Sequence, residues 1–490
     1  MIDHLKEVWS QIKENTFTLG IVSLLWLLLR TGTKPSRIVY PCQQAAAANT
    51  YALLSSILPF LATTPKKTVR FFALKGRIAL ALFLATLVIG AGVAVWWAVQ
   101  QGEKIPTGQV VGLTLESKLA TGTGSPSSIF VVQGTTGWDE GLGELIKLMG
   151  SHGLLFYKSE VMGSARGPSG MIAHDDVVLI KVNAQWSERG GTNTDLLKKL
   201  IEKIVNHPDG FVGEIVVADN GQGRGSLNWS NSNAEDHSQS TQKVVDLFSG
   251  SYRVSTFLWD KIREKRVDEY SSGDMSDGYV VSPKADPQTG LRPSYPKFKT
   301  AYGTYISFKE GIWNSVTKSY DAERLKVINA PVLKTHSIYG VTASVKNYMG
   351  VVSQPLTNAH STVGQGGMGT EIVETRFPTL NILDAIWVNA KPMSGPATSY
   401  EEASRVNVIL ASTDPIALDY WAAKHVLLQT AILKGEKSTA SLDPDNSDKG
   451  SLAESFHVWL KRSMEKMQAA GYQVTMNEGY MNVYVVNLTW

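Results

Sequence analysis

Four polar residues crowd into one short stretch, Lys334, His336, Lys346 and Asn347. Two ammonium groups and an amide are fixed donors for a phosphate or carboxylate, and an imidazole beside them can move a proton near neutral pH. Lys334, His336 and Lys346 are therefore the candidate catalytic residues, with Asn347 a candidate ligand-binding one. Two nearby cations would lower the His336 pKa, leaving the ring neutral and able to accept a proton or a metal. The competing reading of the same residues is a polar network that braces a loop against the fold. Lys181 and Asn183 end an apolar run, Ile180-Lys181-Val182-Asn183, where a charge is costly unless it faces a polar cleft. Asp219 stands at the end of a second such run, before Asn220-Gly221, and serves either as a ligand group or as a turn former. His336 and His360, with Asp384 or Asp219, form a mixed N and O donor set for a divalent metal, without a diagnostic spacing. His360 also precedes a glycine-rich stretch, Ser361 to Gly369, whose amides could meet an anion, although it lacks the Gly-Lys-Ser/Thr ending of a P-loop.

Such residues need a framework that brings strand ends together. Ile129–Gln133, Asp176–Val182, Gly213–Ala218, Leu325–Ala330, Val406–Ser412 and Met481–Leu488 read as strands, most of them continuous apolar runs typical of buried parallel sheet. Trp138–Met149 and Asn193–Asn206 carry helical spacing between them, and Asp414-Pro415 opens a helix to about Leu428 with Asp414 as its N-cap. Asp419 lies five residues further on, off the face of Asp414. Alternation of this kind predicts an α/β fold, a mainly parallel sheet in a three-layer α/β/α sandwich. In that fold ligands gather at the carboxyl ends of the strands, where Asp219-Asn-Gly-Gln-Gly-Arg-Gly225 lies. Residues 226–320, rich in Ser, Asp, Tyr and Pro, break the rhythm and read as an inserted cap.

Several of these elements fall in a recognisable order. Pro331-Val-Leu-Lys334-Thr-His336, Lys346-Asn347-Tyr-Met-Gly350, Ile180-Lys-Val-Asn183, Gly191-Thr-Asn-Thr194, Pro378-Thr-Leu-Asn-Ile-Leu-Asp384 and Ala411-Ser-Thr-Asp-Pro-Ile-Ala-Leu-Asp419 together resemble the domain of unknown function 362 family. The resemblance covers most of Ile129 to about Val426. It implies an α/β fold, adds Gly350 to the candidate ligand-binding residues, and carries no settled reaction. Many relatives have a cysteine-rich ferredoxin-like module; with Cys42 the one cysteine, this chain has no such module and no iron–sulfur cluster is expected.

The first hundred residues differ. Ile78–Val99 is an uncharged run long enough, as a helix, to cross a hydrocarbon core roughly 30 Å thick. Lys66, Lys67, Arg70, Lys75 and Arg77 precede it, and Lys104 stands on the other side, so the positive-inside rule exports the remainder of the chain. Phe17–Leu29 is a shorter apolar segment, suited to a signal-anchor core or an interfacial helix. The expected organisation is thus a membrane region over 1–102, a stalk over 103–128 and an extracytoplasmic domain over 129–490, with the lipid bilayer and a small anionic ligand as partners. A net charge of +3 from 47 basic and 44 acidic residues, without a long basic run, argues against nucleic acid. The function expected is binding or transformation of a small phosphate- or carboxylate-bearing ligand, with or without a metal; the alternative is a non-catalytic ligand-binding or cell-surface assembly protein.

Overall fold

The computed structural model describes residues 23, 24, 26, 46–51, 110–229 and 233–488. The chain divides into two units, 1–107 and 108–490. In the first, residues 46–51 are helical. Among the described residues no helix is long and apolar enough to cross a membrane. The run 78–99, most of 17–29 and Cys42 lie outside the described residues.

The second unit is built on a ten-stranded, mostly parallel sheet. Its strands are β1 (Ser127–Gln133), β2 (Val177–Lys181), β3 (Glu214–Asp219), β4 (Val254–Leu258), then, after a separate small sheet, β10 (Leu325–Asn329), β11 (Val332–His336), β12 (Gly340–Thr342), β13 (Leu380–Asn389), β14 (Ser404–Ser412) and β15 (Met481–Asn487). The main order is β15-β1-β14-β13-β10-β2-β3-β4, with β11 joining β13 and β12 joining β11. From β13 to β4 every neighbour is parallel, in register pairs such as Ile328 with Ile180 and Ile180 with Val217. The wholly buried sequences VVLIK and EIVVAD explain this, because parallel strands covered on both faces need apolar side chains in both directions.

Two cores flank the sheet. On one face Val178, Ile180, Ile215 and Val217 pack with Leu142, Leu145, Leu197, Leu200, Ile201 and Val244 of the helices α1 (Gly141–Ser151), α2 (Thr194–Val205) and α3 (Thr241–Ser249). On the other, Leu179, Val216, Leu333 and Leu410 pack with residues of α4 (Ser344–Asn347), α5 (Gly367–Glu374), α6 (Pro415–Ala422) and α7 (Phe456–Ala469). The result is the three-layer α/β/α arrangement. Asp414 caps α6 as expected, its Oδ1 accepting from the amides of Ile416 and Ala417.

The structure redraws two boundaries. From Val110 onward the segment expected as a stalk lies against the sheet, with Leu113 and Leu115 buried and Lys118 bridging Val483 of the edge strand β15. That contact covers a sheet edge that would otherwise be open. The expected insertion begins later than Ser226, because α3 and β4 continue the main sheet to Leu258. The irregular part is a separate five-stranded antiparallel sheet, β9-β8-β7-β6-β5, formed by β5 (Gly278–Val281), β6 (Ser294–Lys299), β7 (Tyr305–Ser307), β8 (Gly311–Asn314) and β9 (Ser319–Asp321). Its polar appearance in sequence is deceptive: Trp259, Tyr270, Tyr279 and Phe298 are buried, and Glu269 accepts from the hydroxyls of Tyr295, Ser307 and Tyr320.

Candidate functional site

The carboxyl ends of β2, β3 and β11 open onto one cavity of about 240 Å³, the edge where a parallel sheet leaves room for a ligand. Lys181, Asn183, Asp219, Lys334, His336, Lys346, Asn347, Gly350 and His360 all line it. Trp186, Gln222, Arg224, Ile338 and Thr342 complete much of the wall.

Lys181 and Asp219 end adjacent strands and form a buried ion pair of 2.7 Å. Asp219 Oδ2 also accepts from the Ala184 amide at 2.6 Å, and Lys181 Nζ donates to the Val182 carbonyl at 3.0 Å. Each charge thus has the partners that burial demands. Gly350 makes room for them: a methyl at its Cα would collide with both Asp219 Oδ1 and Lys181 Nζ. Gly350→Ala is therefore expected to push the two charges apart and cost about 3–5 kcal/mol, as for breaking a buried pair. A chemical denaturation curve checks this, and an unchanged midpoint would contradict the tight fit.

Lys334 and Lys346 are different. Lys334 Nζ donates to the Gly190 carbonyl, and no carboxylate pairs with it among the described residues. Lys346 Nζ lies 5.6 Å from the centre of the Tyr339 ring, likewise without a carboxylate partner among the described residues. Burial pushes Lys334 down to about 7, and the Lys346 ammonium adds to the effect. Burial also pushes Lys346 down to about 7. Arg224 stands at the mouth, 5.5 Å over the Trp186 ring. With Asp219 committed to Lys181, the cavity holds an excess of positive charge.

His336 is held by its own chain. Its Nδ1 accepts from the amides of Ile338 at 3.0 Å and Tyr339 at 3.2 Å. Burial, then Lys346, Lys334 and His360, keep its pKa well below the ordinary imidazole range. A neutral ring that accepts at Nδ1 carries its proton on Nε2, so it offers a donor where the sequence suggested a base. His360 is lowered to about 4 by burial and by Lys346 and Arg224, so it too is neutral near pH 7.

Asp384 does not join this group. Its Oδ2 accepts from the Asn193 amide and from Asn233 Nδ2, its Oδ1 from the Ile386 amide, and burial raises its pKa to about 6. It ties the start of α2 to β13, because its own backbone lies inside the sheet rather than at the cavity edge. Among the described residues no group of three His, Cys, Asp or Glu could hold a metal ion, so His336 and His360 lack the third ligand expected of Asp384. The glycine-rich stretch after His360 serves packing: Gly366 and Gly369 abut Arg462 and Ser463 of α7 where a side chain would clash.

Three residues have supporting roles that the sequence did not show. Asp419 accepts from the amides of Ser344 and Val345 at 2.7 and 2.8 Å, capping α4 and so fixing Lys346 and Asn347. Asn329 accepts from Asn347 Nδ2 and donates from its own Nδ2 to Ser344 O and Asn381 Oδ1. Asp260 accepts from the amides of Gly221 and Gly223, both at 2.6 Å, so the glycine loop after β3 already holds an internal carboxylate. Asp419 alone left a signal, as the last residue of a family-like element.

No curated protein and no solved structure matches the chain. One family model matches residues 304–424, a span that holds Lys334, His336, Lys346, Asn347, Gly350, His360 and Asp419 and leaves Lys181, Asn183 and Asp219 outside it. Over that segment, the half of the site carried by β11, α4 and their flanks, the chain is similar to the family described as Domain of unknown function (DUF362).

Proposed function

We propose that the cavity binds a small phosphate- or carboxylate-bearing anion. The observation that carries this reading is the pair Lys334 and Lys346, both buried and neither paired with a carboxylate among the described residues. Buried ammonium groups without a counter-ion are costly, and they occur where a ligand supplies the missing charge. His336 Nε2–H and Arg224 add donors, and a volume at the small end of ligand sites suits a compact molecule. A lysine that titrates near neutrality can also take or give a proton, which makes proton transfer to or from the bound anion the chemistry this site favours. The test is a thermal-shift titration of the full-length protein with inorganic phosphate and with small carboxylates. Millimolar anion should raise Tm by several degrees at constant ionic strength; no shift with any of them would remove the reading.

The proposed setting is a membrane-anchored chain with residues 108–490 outside the cytoplasm, supported by the uncharged run Ile78–Val99 and the basic residues before it. Protease added to intact cells should then digest the region after Glu103 and spare Lys66 to Arg77. Protection of the whole chain would overturn the placement.

A further inference from the structure

The cavity wall carries acceptors as well as cations. Asn347 Oδ1, Asn183 Oδ1 and Thr342 Oγ1 are buried and have no hydrogen-bond partner among the described residues. Asn347 and Thr342 are 3% and 5% exposed, so bulk water does not serve them freely. The orientation of Asn347 is fixed from behind. Asn329 spends its Nδ2 on Ser344 O and Asn381 Oδ1, which leaves only its oxygen for Asn347; Asn347 must present Nδ2 there and turn its own oxygen free. An amide oxygen accepts and cannot donate. A bare anion offers acceptors alone, so it would satisfy the lysines and leave both amide oxygens without a donor, at a cost of about 1–3 kcal/mol for each one kept dry.

Resting on the anion reading above, we infer that the ligand is a small hydroxylated anion, with a hydroxyl group close to its phosphate or carboxylate. Lys346 and Asn347 line the same cavity of about 240 Å³, so one compact ligand can meet both an ammonium and an acceptor oxygen. The donor on the ligand is a hydroxyl and not an ammonium. Lys334, Lys346 and Arg224 already exceed the one carboxylate that lines the cavity among the described residues, and that carboxylate is paired with Lys181. A second cation on the ligand would meet this excess charge in a medium that screens it poorly. Thr342, free to donate or accept, tolerates either a hydroxyl or an anionic oxygen beside it.

Two matched pairs test this on the full-length protein by calorimetric titration: glycerol 3-phosphate against propyl phosphate, and glycerate against propionate. Within at least one pair the hydroxylated member should bind about tenfold tighter or more, the margin expected where a site is built to hydrogen-bond a hydroxyl. Which pair discriminates identifies the anionic group. Asn347→Leu and, separately, Asn183→Leu should each narrow that ratio; the second avoids the Asn329 contact, should the first fail to fold. Equal affinities within both pairs, or a ratio that neither variant narrows, would overturn the inference and leave the anion reading standing. Failure of all four compounds to bind would overturn both.

Discussion

Replacing Lys346 with Met should make the protein more stable and blind to its ligand. Met fills a similar volume without a charge, and buried ionic groups exchanged for apolar ones are often neutral or stabilising. A lysine lowered from its ordinary value to about 7 bears a penalty of order 3–5 kcal/mol when the surroundings are acidic enough to charge it. Linkage sets the sign. Between pH 7 and the ordinary lysine value the unfolded chain binds the extra proton, so the penalty is complete below about pH 7 and fades as pH rises towards about 10. Lys346→Met should therefore raise Tm by several degrees at pH 6.5 and by much less at pH 10, while anion affinity falls about a hundredfold or more. Lys334→Met should do the same to binding with a smaller gain in stability, because it strands the Gly190 carbonyl. A fall in Tm for Lys346→Met at both pH values would mean that the side chain has a counter-charge in the free protein.

Affinity for a small carboxylate, which stays ionised, should be nearly flat from about pH 5 up to pH 7 and fall above pH 7. Below that point both lysines are charged in free and bound protein, so binding moves no proton. Above it the free protein has lost protons that the complex needs, and affinity drops by about tenfold per pH unit for each lysine that must be recharged. His336 does not contribute, since its ring stays neutral across this window. Titrations at pH 8 in two buffers of different ionisation enthalpy should reveal uptake of between one and two protons per anion. Proton release, or none, would contradict the assignment of these lysines.

The strands that position the site were legible because their apolar runs are continuous. Val177–Lys181 and Glu214–Asp219 stand within a residue or two of the expected segments, since a strand covered on both faces has little freedom in composition. Polar residues at the ends of such runs then had to meet at one edge of the sheet, which is why Lys181, Asn183 and Asp219 line one cavity, whereas Lys334 and His336 reach it on β11, a strand the sequence did not predict. What stayed hidden was long-range pairing. Nothing near Gly221 tells that Asp260 will occupy its amide, and nothing near Lys346 tells that Asp419 will cap its helix. The two histidines and Asp384 looked like a ligand set by residue type alone, yet backbone partners at Asn193 and Ile386 claim the carboxylate. The edge strand β4 with its helix α3 was lost for another reason: a half-covered strand such as Val-Ser-Thr-Phe-Leu blends into a polar stretch.

The proposed role of the two buried lysines is to wait in one cavity for a negative charge. It is tested most directly by NMR of the full-length protein labelled at lysine Cε, titrated over pH with and without glycerol 3-phosphate. Two resonances, absent from Lys334→Met and Lys346→Met respectively, should titrate near pH 7 in the free protein and move to higher pH when the anion is added. If every lysine titrates at its ordinary value and the anion shifts none of them, the cavity is not an anion site.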